Sequence, residues 1–142
     1  CIGYGDEEEN LKKLVIELKL EDQVKFLNDI PSNFKNALIS KSNVFIMPSI
    51  IYKKSVEGFG IAYVEAAQHG IPSIGGKDGG ASDAIIHEKT GLICDGNNLD
   101  DIYSSIDQIF KENKYFEYGK AANENSKNFH WDKIIESYKR IL

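Results

Sequence analysis

Two glutamates, Glu57 and Glu65, flank the loop Gly58-Phe59-Gly60 and the start of the apolar-rich stretch that follows it. Where Gly-x-Gly leads into a helix, the first-turn N–H groups lack intrahelical partners and carry the positive end of the helix dipole. Such an end favours an anion, and a diphosphate is the natural candidate. If the helix begins near Gly60, Glu65 lies about one turn along it, on the face shared with Ile61. A carboxylate accepts hydrogen bonds from two vicinal hydroxyls. Two acids flanking an anion-binding helix end therefore suit a ligand with hydroxyls on both sides of a phosphate, as in a nucleotide sugar. Taken singly, Glu57 also reads as a solvated acid offsetting a helix dipole, and Glu65 as an exposed mid-helix residue.

Two further loops are rich in glycine, Gly3-Tyr4-Gly5 and Gly75-Gly76-Lys77-Asp78-Gly79-Gly80. Each alone is ordinary turn chemistry, and it is their recurrence after successive strands that points to one ligand-binding edge. Lys53, Lys54 and Lys77 lie in polar loops, where lysines are usually solvated. His69, His87 and His130 form no metal-ligand spacing, and His69 reads as a helix-end residue. Cys1 and Cys94 match neither a metal motif nor CxxC, which fits a reducing, cytoplasmic setting better than a disulfide scaffold.

The elements that must position these groups alternate. Apolar residues at helical spacing (Leu11, Leu14, Val15, Leu18) predict a helix over 7–20, followed by a strand at 24–27. A second helix spans 34–39, and the unbroken run 44–47 predicts a strand buried on both faces. A helix at 61–69, ended by Gly70 and Pro72, leads to a strand at 72–74. A short helix near 81–87 and a last strand at 92–94 follow, and then helices at 99–111, 115–127 and 131–142. Such alternation implies an α/β fold, a doubly wound parallel sheet that binds ligands at the carboxyl ends of its strands.

The 142 residues, 42% hydrophobic and 27% charged, predict a single soluble domain over 1–142. A formal charge of -5 with no basic stripe argues against nucleic acid as a partner and leaves room for one small anion. No apolar run reaches the ~18 residues of a membrane span, and no signal-peptide pattern opens the chain. Cys1-Ile2-Gly3 reads as the end of a buried strand, as expected of a domain truncated at its N-terminal side.

The run from Glu57 to Pro72 strongly resembles the Glu-x7-Glu signature of the family-4 glycosyltransferases, which use the GT-B fold. Acid spacing, Phe59-Gly60, Glu65-Ala66 and Gly70-Ile71-Pro72 all coincide. Segments 24–27 and 44–49, Gly79-Gly80, Thr90-Gly91-Leu92 and Phe129-His130-Trp131 extend the resemblance to nearly the whole chain. It implies the Rossmann-like, nucleotide-sugar-binding C-terminal half of a retaining enzyme of glycan biosynthesis. In such an enzyme the departing phosphate takes up the acceptor proton.

Carried over residue by residue, the resemblance implies that Glu57 contacts and orients the donor sugar, as the residue closest to a catalytic role. Phe59, Gly60 and Ile61 present amides near phosphate and sugar, and Glu65 binds the ribose. Asn28 and Ile30 lie against the base, and Gly3 and Gly5 border the diphosphate. Where many relatives have Gly-Gly-x-Pro-Glu, this chain has Gly79-Gly80-Ala81-Ser82-Asp83, which leaves Asp83 as a helix N-terminal charge. The resemblance further implies metal-independent chemistry with no cofactor. The diphosphate-neutralising basic residues lie upstream of Gly3. The acceptor, a glycan, lipid or small molecule, is held by an N-terminal domain outside this sequence, and the resemblance allows peripheral membrane association of the full-length protein. A nucleotide-sugar 2-epimerase sharing this half, and a non-catalytic nucleotide- or phosphate-binding module, remain alternatives.

Without the acceptor domain and the basic segment, the 142 residues alone are expected to show no multiple-turnover sugar transfer. They should bind donor only weakly, with Kd of about 1 mM, because an open half-site loses contacts while still ordering a flexible ligand. Calorimetry and a transfer assay on the chain check both statements.

Overall fold

The computed structural model describes residues 1–140, so the last two positions of the helix expected at 131–142 lie outside the described residues. The chain divides into two compact units, Cys1–Lys35 and Asn36–Leu142.

In the first unit, α1 (Glu8–Glu17) opens on Glu8 and Glu9, whose charges oppose the helix dipole. Lys12 Nζ reaches both carboxylates, at 2.8 Å and 3.2 Å. The hydrogen bond from Lys12, and after it one from Asn28, holds the Glu8 carboxyl below the usual range. The strand expected at 24–27 is reduced to one parallel bridge, Ile2 with Leu27. Its hydrogen bonds run from Gly3 N–H to Leu27 O (3.0 Å) and from Leu27 N–H to Cys1 O (2.9 Å). Gly3, at φ +116°, then turns the chain away before the ladder can lengthen. After Pro31, α2 (Ser32–Ser40) begins in this unit and ends in the next.

The second unit holds a parallel sheet in the order β1 (Phe45–Met47), β2 (Ser73–Gly76), β3 (Gly91–Cys94). Its register pairs Phe45 with Ser73 and Ser73 with Gly91. α3 (Ile61–Gln68) connects β1 to β2, and α4 (Ala81–Ala84) connects β2 to β3. α5 (Leu99–Lys111), α6 (Lys114–Ser126), a 3-10 turn (Lys127–Phe129) and α7 (Trp131–Lys139) complete it.

The pleat sorts side chains onto two apolar layers. On one, Tyr63 and Val64 of α3, Ala81 and Ala84 of α4 and Ile85 just after it pack with Phe45, Met47 and Ile93. On the other, Ile74, Leu92 and Cys94 meet Ile109 of α5 and Tyr118 of α6. Helices thus cover both faces, and the expected doubly wound parallel architecture is present.

Two further expectations are corrected. The run 44–47 is not buried on both faces, because β1 is an outer strand of this sheet and Ile46, alternating away from Phe45 and Met47, is 42% exposed. The helix expected near 81–87 stops at Ala84, and Ile85 is extended. There the Thr90 hydroxyl oxygen accepts the Ile86 N–H at 2.8 Å, and Glu88 takes a positive φ of 58°, turning the chain into β3. Among the described residues, no helix is long and apolar enough to cross a membrane.

Asn98 caps α5, its side-chain oxygen accepting the N–H groups of Asp100 (3.0 Å) and Asp101 (3.3 Å). Replacing it by alanine strips both first-turn donors of their acceptor. Asn98→Ala is expected to cost about 1 kcal/mol of stability, read as a lowered urea midpoint at unchanged slope.

Candidate functional site

Both β1 and β2 run at their carboxyl ends into loops that lead to helices, the place where parallel sheets hold ligands. The first loop ends at Gly60, which occupies the left-handed region (φ 80°, ψ 61°) as the N-cap of α3. No side chain caps this helix, and its first turn carries no acid. By contrast α1 begins on Glu8 and Glu9, and α5 on Asn98, Asp100 and Asp101. The Tyr63 N–H returns to Gly60 O at 2.9 Å, while the amides of Ile61 and Ala62 have no acceptor within the helix. They border an open pocket of about 370 Å³ lined by Met47, Glu57, Phe59, Gly60, Ile61 and Ala62. The amino end of α3 is therefore an electropositive, main-chain surface facing a cavity.

Glu57, half-buried on the pocket wall, is held through its backbone. Its carbonyl accepts the Gly80 N–H at 2.9 Å. Gly80 has an ordinary φ of -86°, so what it supplies is space: a Cβ there would lie 2.0 Å from Gly58 O. Phe59 packs edge-on against Phe129, with ring centroids 5.4 Å apart. Ile61 is 71% exposed at the mouth of the helix, and Glu65, one turn on, is half-buried. The structure thus assembles Glu57, Phe59, Gly60 and Ile61 around one pocket, while Glu65, further along α3, is not one of its lining residues.

The remaining expected residues belong to the first unit. Gly3 and Gly5 line an open pocket of about 280 Å³ together with Glu7 and Glu8. Asn28 donates its amide to Glu8, at 3.1 Å and 3.2 Å, and Ile30 is half-buried. Of the loop lysines, Lys53 Nζ lies 4.9 Å from the Tyr52 ring centroid, Lys54 is exposed, and Lys77 pairs with Asp95 at 2.7 Å. That hydrogen bond holds the Asp95 carboxyl below its ordinary value. His69 is the C-cap of α3, as read from the sequence, and His87 Nδ1 accepts the Ile93 N–H at 2.9 Å. Asp83 stands exposed in the first turn of α4. Cys1 is exposed and Cys94 buried, and neither is in a disulfide. Among the described residues no group of three or more His, Cys, Asp or Glu side chains is placed to hold a metal ion.

Comparison with known proteins decides the family, since residues 1–129 match the model of the glycosyl transferases group 1. The chain belongs to that family. This group 1 chain is 28% identical over 146 residues to an uncharacterized glycosyltransferase of Haemophilus influenzae, covering 99% of this chain and 38% of the relative. It is 33% identical over 110 residues to a GDP-mannose-dependent alpha-(1-6)-phosphatidylinositol monomannoside mannosyltransferase of Mycobacterium tuberculosis, covering 76% of this chain and 29% of that one. It therefore spans only about a third of the length of these relatives. Among solved structures, sucrose-phosphate synthase of Thermosynechococcus elongatus superposes with a TM-score of 0.81 at 27% identity, covering 96% of this chain and 34% of that chain. Anabaena HepE, in complex with UDP-glucose, gives 0.77 at 21% identity, over 94% of this chain and 36% of its own, a likeness of fold. The Rossmann-like half of a GT-B group 1 glycosyltransferase, expected from the Glu57–Glu65 signature, is thus the fold observed.

Sequence reasoning did not single out Tyr63. It is 1% exposed and its hydroxyl donates to Met47 O at 2.5 Å, but at helical spacing beside Val64 it reads as core. It likewise treated Gly79-Gly80 as a motif without seeing that Gly80 seats the Glu57 loop. Gly80→Ala should cost about 1–3 kcal/mol, because its methyl meets main chain that cannot rotate aside. Gly58→Ala, with open space around its Cβ, should stay within about 0.5 kcal/mol of wild type. Parallel urea titrations of the two variants check the contrast.

Proposed function

We propose that this chain is the donor-binding part of a glycosyltransferase that moves a sugar from a nucleotide sugar to an acceptor with retention of configuration. The observation that carries the reading is the uncapped, acid-free amino end of α3 opening into the pocket that holds Glu57. The diphosphate would accept hydrogen bonds from the first-turn amides, where the helix dipole also favours negative charge. Glu57, on the pocket wall, would accept hydrogen bonds from the sugar hydroxyls, and Glu65 from the ribose. The departing phosphate would take the acceptor's proton, so the reaction needs no metal ion. Support for a nucleotide-sugar donor also comes from the relatives, one named as GDP-mannose-dependent and one solved with UDP-glucose. We further place the reaction in the cytoplasm, where the thiols of Cys1 and Cys94 stay reduced.

Removing either carboxylate from the complete enzyme loses charge-assisted hydrogen bonds of ~1.5–3 kcal/mol, or roughly ten- to a hundredfold. The two losses should differ in kind. Glu65→Ala removes contacts present equally in ground and transition states, so KM rises and free nucleoside diphosphate inhibits less well. Glu57→Ala acts where charge develops at the anomeric carbon, so kcat falls while inhibition by nucleoside diphosphate stays nearly unchanged. Steady-state kinetics with diphosphate inhibition constants tests the assignment, and identical profiles for the two variants would refute it.

A further inference from the structure

α3 has only eight residues, too few to hold a helical position in water by itself, so the place of its amino end depends on tertiary ties. Tyr63 joins two contacts within the first turn to one such tie with the sheet. Its N–H closes the first turn on Gly60 O at 2.9 Å. Its ring lies against Gly60, where a Cβ would sit 2.3 Å from Cδ2, so the left-handed turn into the helix and the aromatic ring fit only together. Its hydroxyl donates to Met47 O, the last residue of β1, at 2.5 Å.

The ring also packs edge-on against Phe45, with centroids 5.9 Å apart, and reaches over Gly75 of β2, where a Cβ would be 3.3 Å from Cζ. One side chain thus links the two strand ends to the helix start that borders the Glu57 pocket. Burial pushes the Tyr63 phenol above its ordinary value, and the neighbouring Glu57 charge adds to the rise while hydrogen bonding to Ser49 and Gly76 opposes it. The hydroxyl therefore stays protonated, as a donor to Met47, throughout the neutral range.

We propose that Tyr63 is a positioning residue for donor binding: through its ring under Gly60 and its hydroxyl on Met47 it fixes the first-turn amides of α3 relative to the sheet edge. The claim rests on the donor-binding reading for its function and on geometry alone for its positioning action.

The test uses Tyr63→Phe, which keeps the ring and removes only the hydroxyl with its hydrogen bonding to Met47 and the neighbouring Ser49 and Gly76, with Ile109→Val in the opposite apolar layer as a control of mild core loss. Two readouts are taken on the full chain well below each variant's Tm: amide 15N order parameters, and affinity for uridine, guanosine or adenosine diphosphate by NMR titration. In Tyr63→Phe the order parameters of Gly60, Ile61 and Ala62 should fall from a rigid value of about 0.85 while those of α5 hold. The diphosphate Kd should rise roughly fivefold, within the range expected for lost hydrogen bonding. Ile109→Val should change neither. Unchanged order at 60–62, or an equal loss across α3, α5 and β2, overturns the positioning role. Wild-type order parameters do not depend on ligand, so failure of wild type to bind any of uridine, guanosine and adenosine diphosphate sinks the donor reading while the order parameters still decide Tyr63's positioning action, and the affinity comparison is made with whichever diphosphate wild type binds. Loosened amides with unchanged affinity for that diphosphate overturn the link to donor binding.

Discussion

The site depends on main chain lying directly on main chain at the carboxyl edge of a parallel sheet. Gly80 comes so close to Gly58 that no side chain fits between them, and at that distance its N–H bonds the Glu57 carbonyl. A loop anchored by its backbone holds its carboxylate at a set height without using the carboxylate as the anchor. Glu57 is thereby left with its side chain on the wall of a cavity and its carbonyl already satisfied, the combination a recognition acid requires.

That close seating follows from the layering beneath it. Ser73 and Gly75 face one way and Ile74 the other, so β2 presents almost no bulk toward α3 and gives the Tyr63 ring its place. The opposite face is filled by Ile109 and Tyr118, which leave the sheet little freedom to shift. With the strands held from behind and thin in front, α3 can approach the sheet edge closely at its amino end. The absence of an acid in its first turn leaves the end of the dipole unneutralised, whereas Glu8 and Glu9 do the opposite for α1.

The helices were legible because periodic apolar residues and caps write themselves locally: α5 at Leu99–Lys111 matches the expected span, and α3 is one residue shorter than read. The Glu57–Glu65 spacing was legible for the same reason, since a helix start converts sequence distance into a shared neighbourhood. What could not be read is set by contacts between distant segments. A ladder at 24–27 depends on where Gly3 turns away, and the exposure of Ile46 on which strand forms the edge. The end of α4 depends on Thr90, six residues beyond it. Tyr63 was hidden by its own type, because an aromatic residue at core spacing carries no sign that its hydroxyl ties a helix to a strand.

The exposed side chain of Ile61 stands where the helix emerges, next to amides whose geometry is set by Gly60 and Tyr63 rather than by Ile61 itself. Recognition of charge by peptide groups is indifferent to mutation at such a position, and recognition of shape is not. A lineage carrying this scaffold can therefore let position 61 drift through residues of different size and polarity without disturbing the amides. On the proposed donor-binding reading, the scaffold separates a main-chain grip, set by Gly60 and Tyr63, from a side-chain rim at Ile61 that can change without altering it.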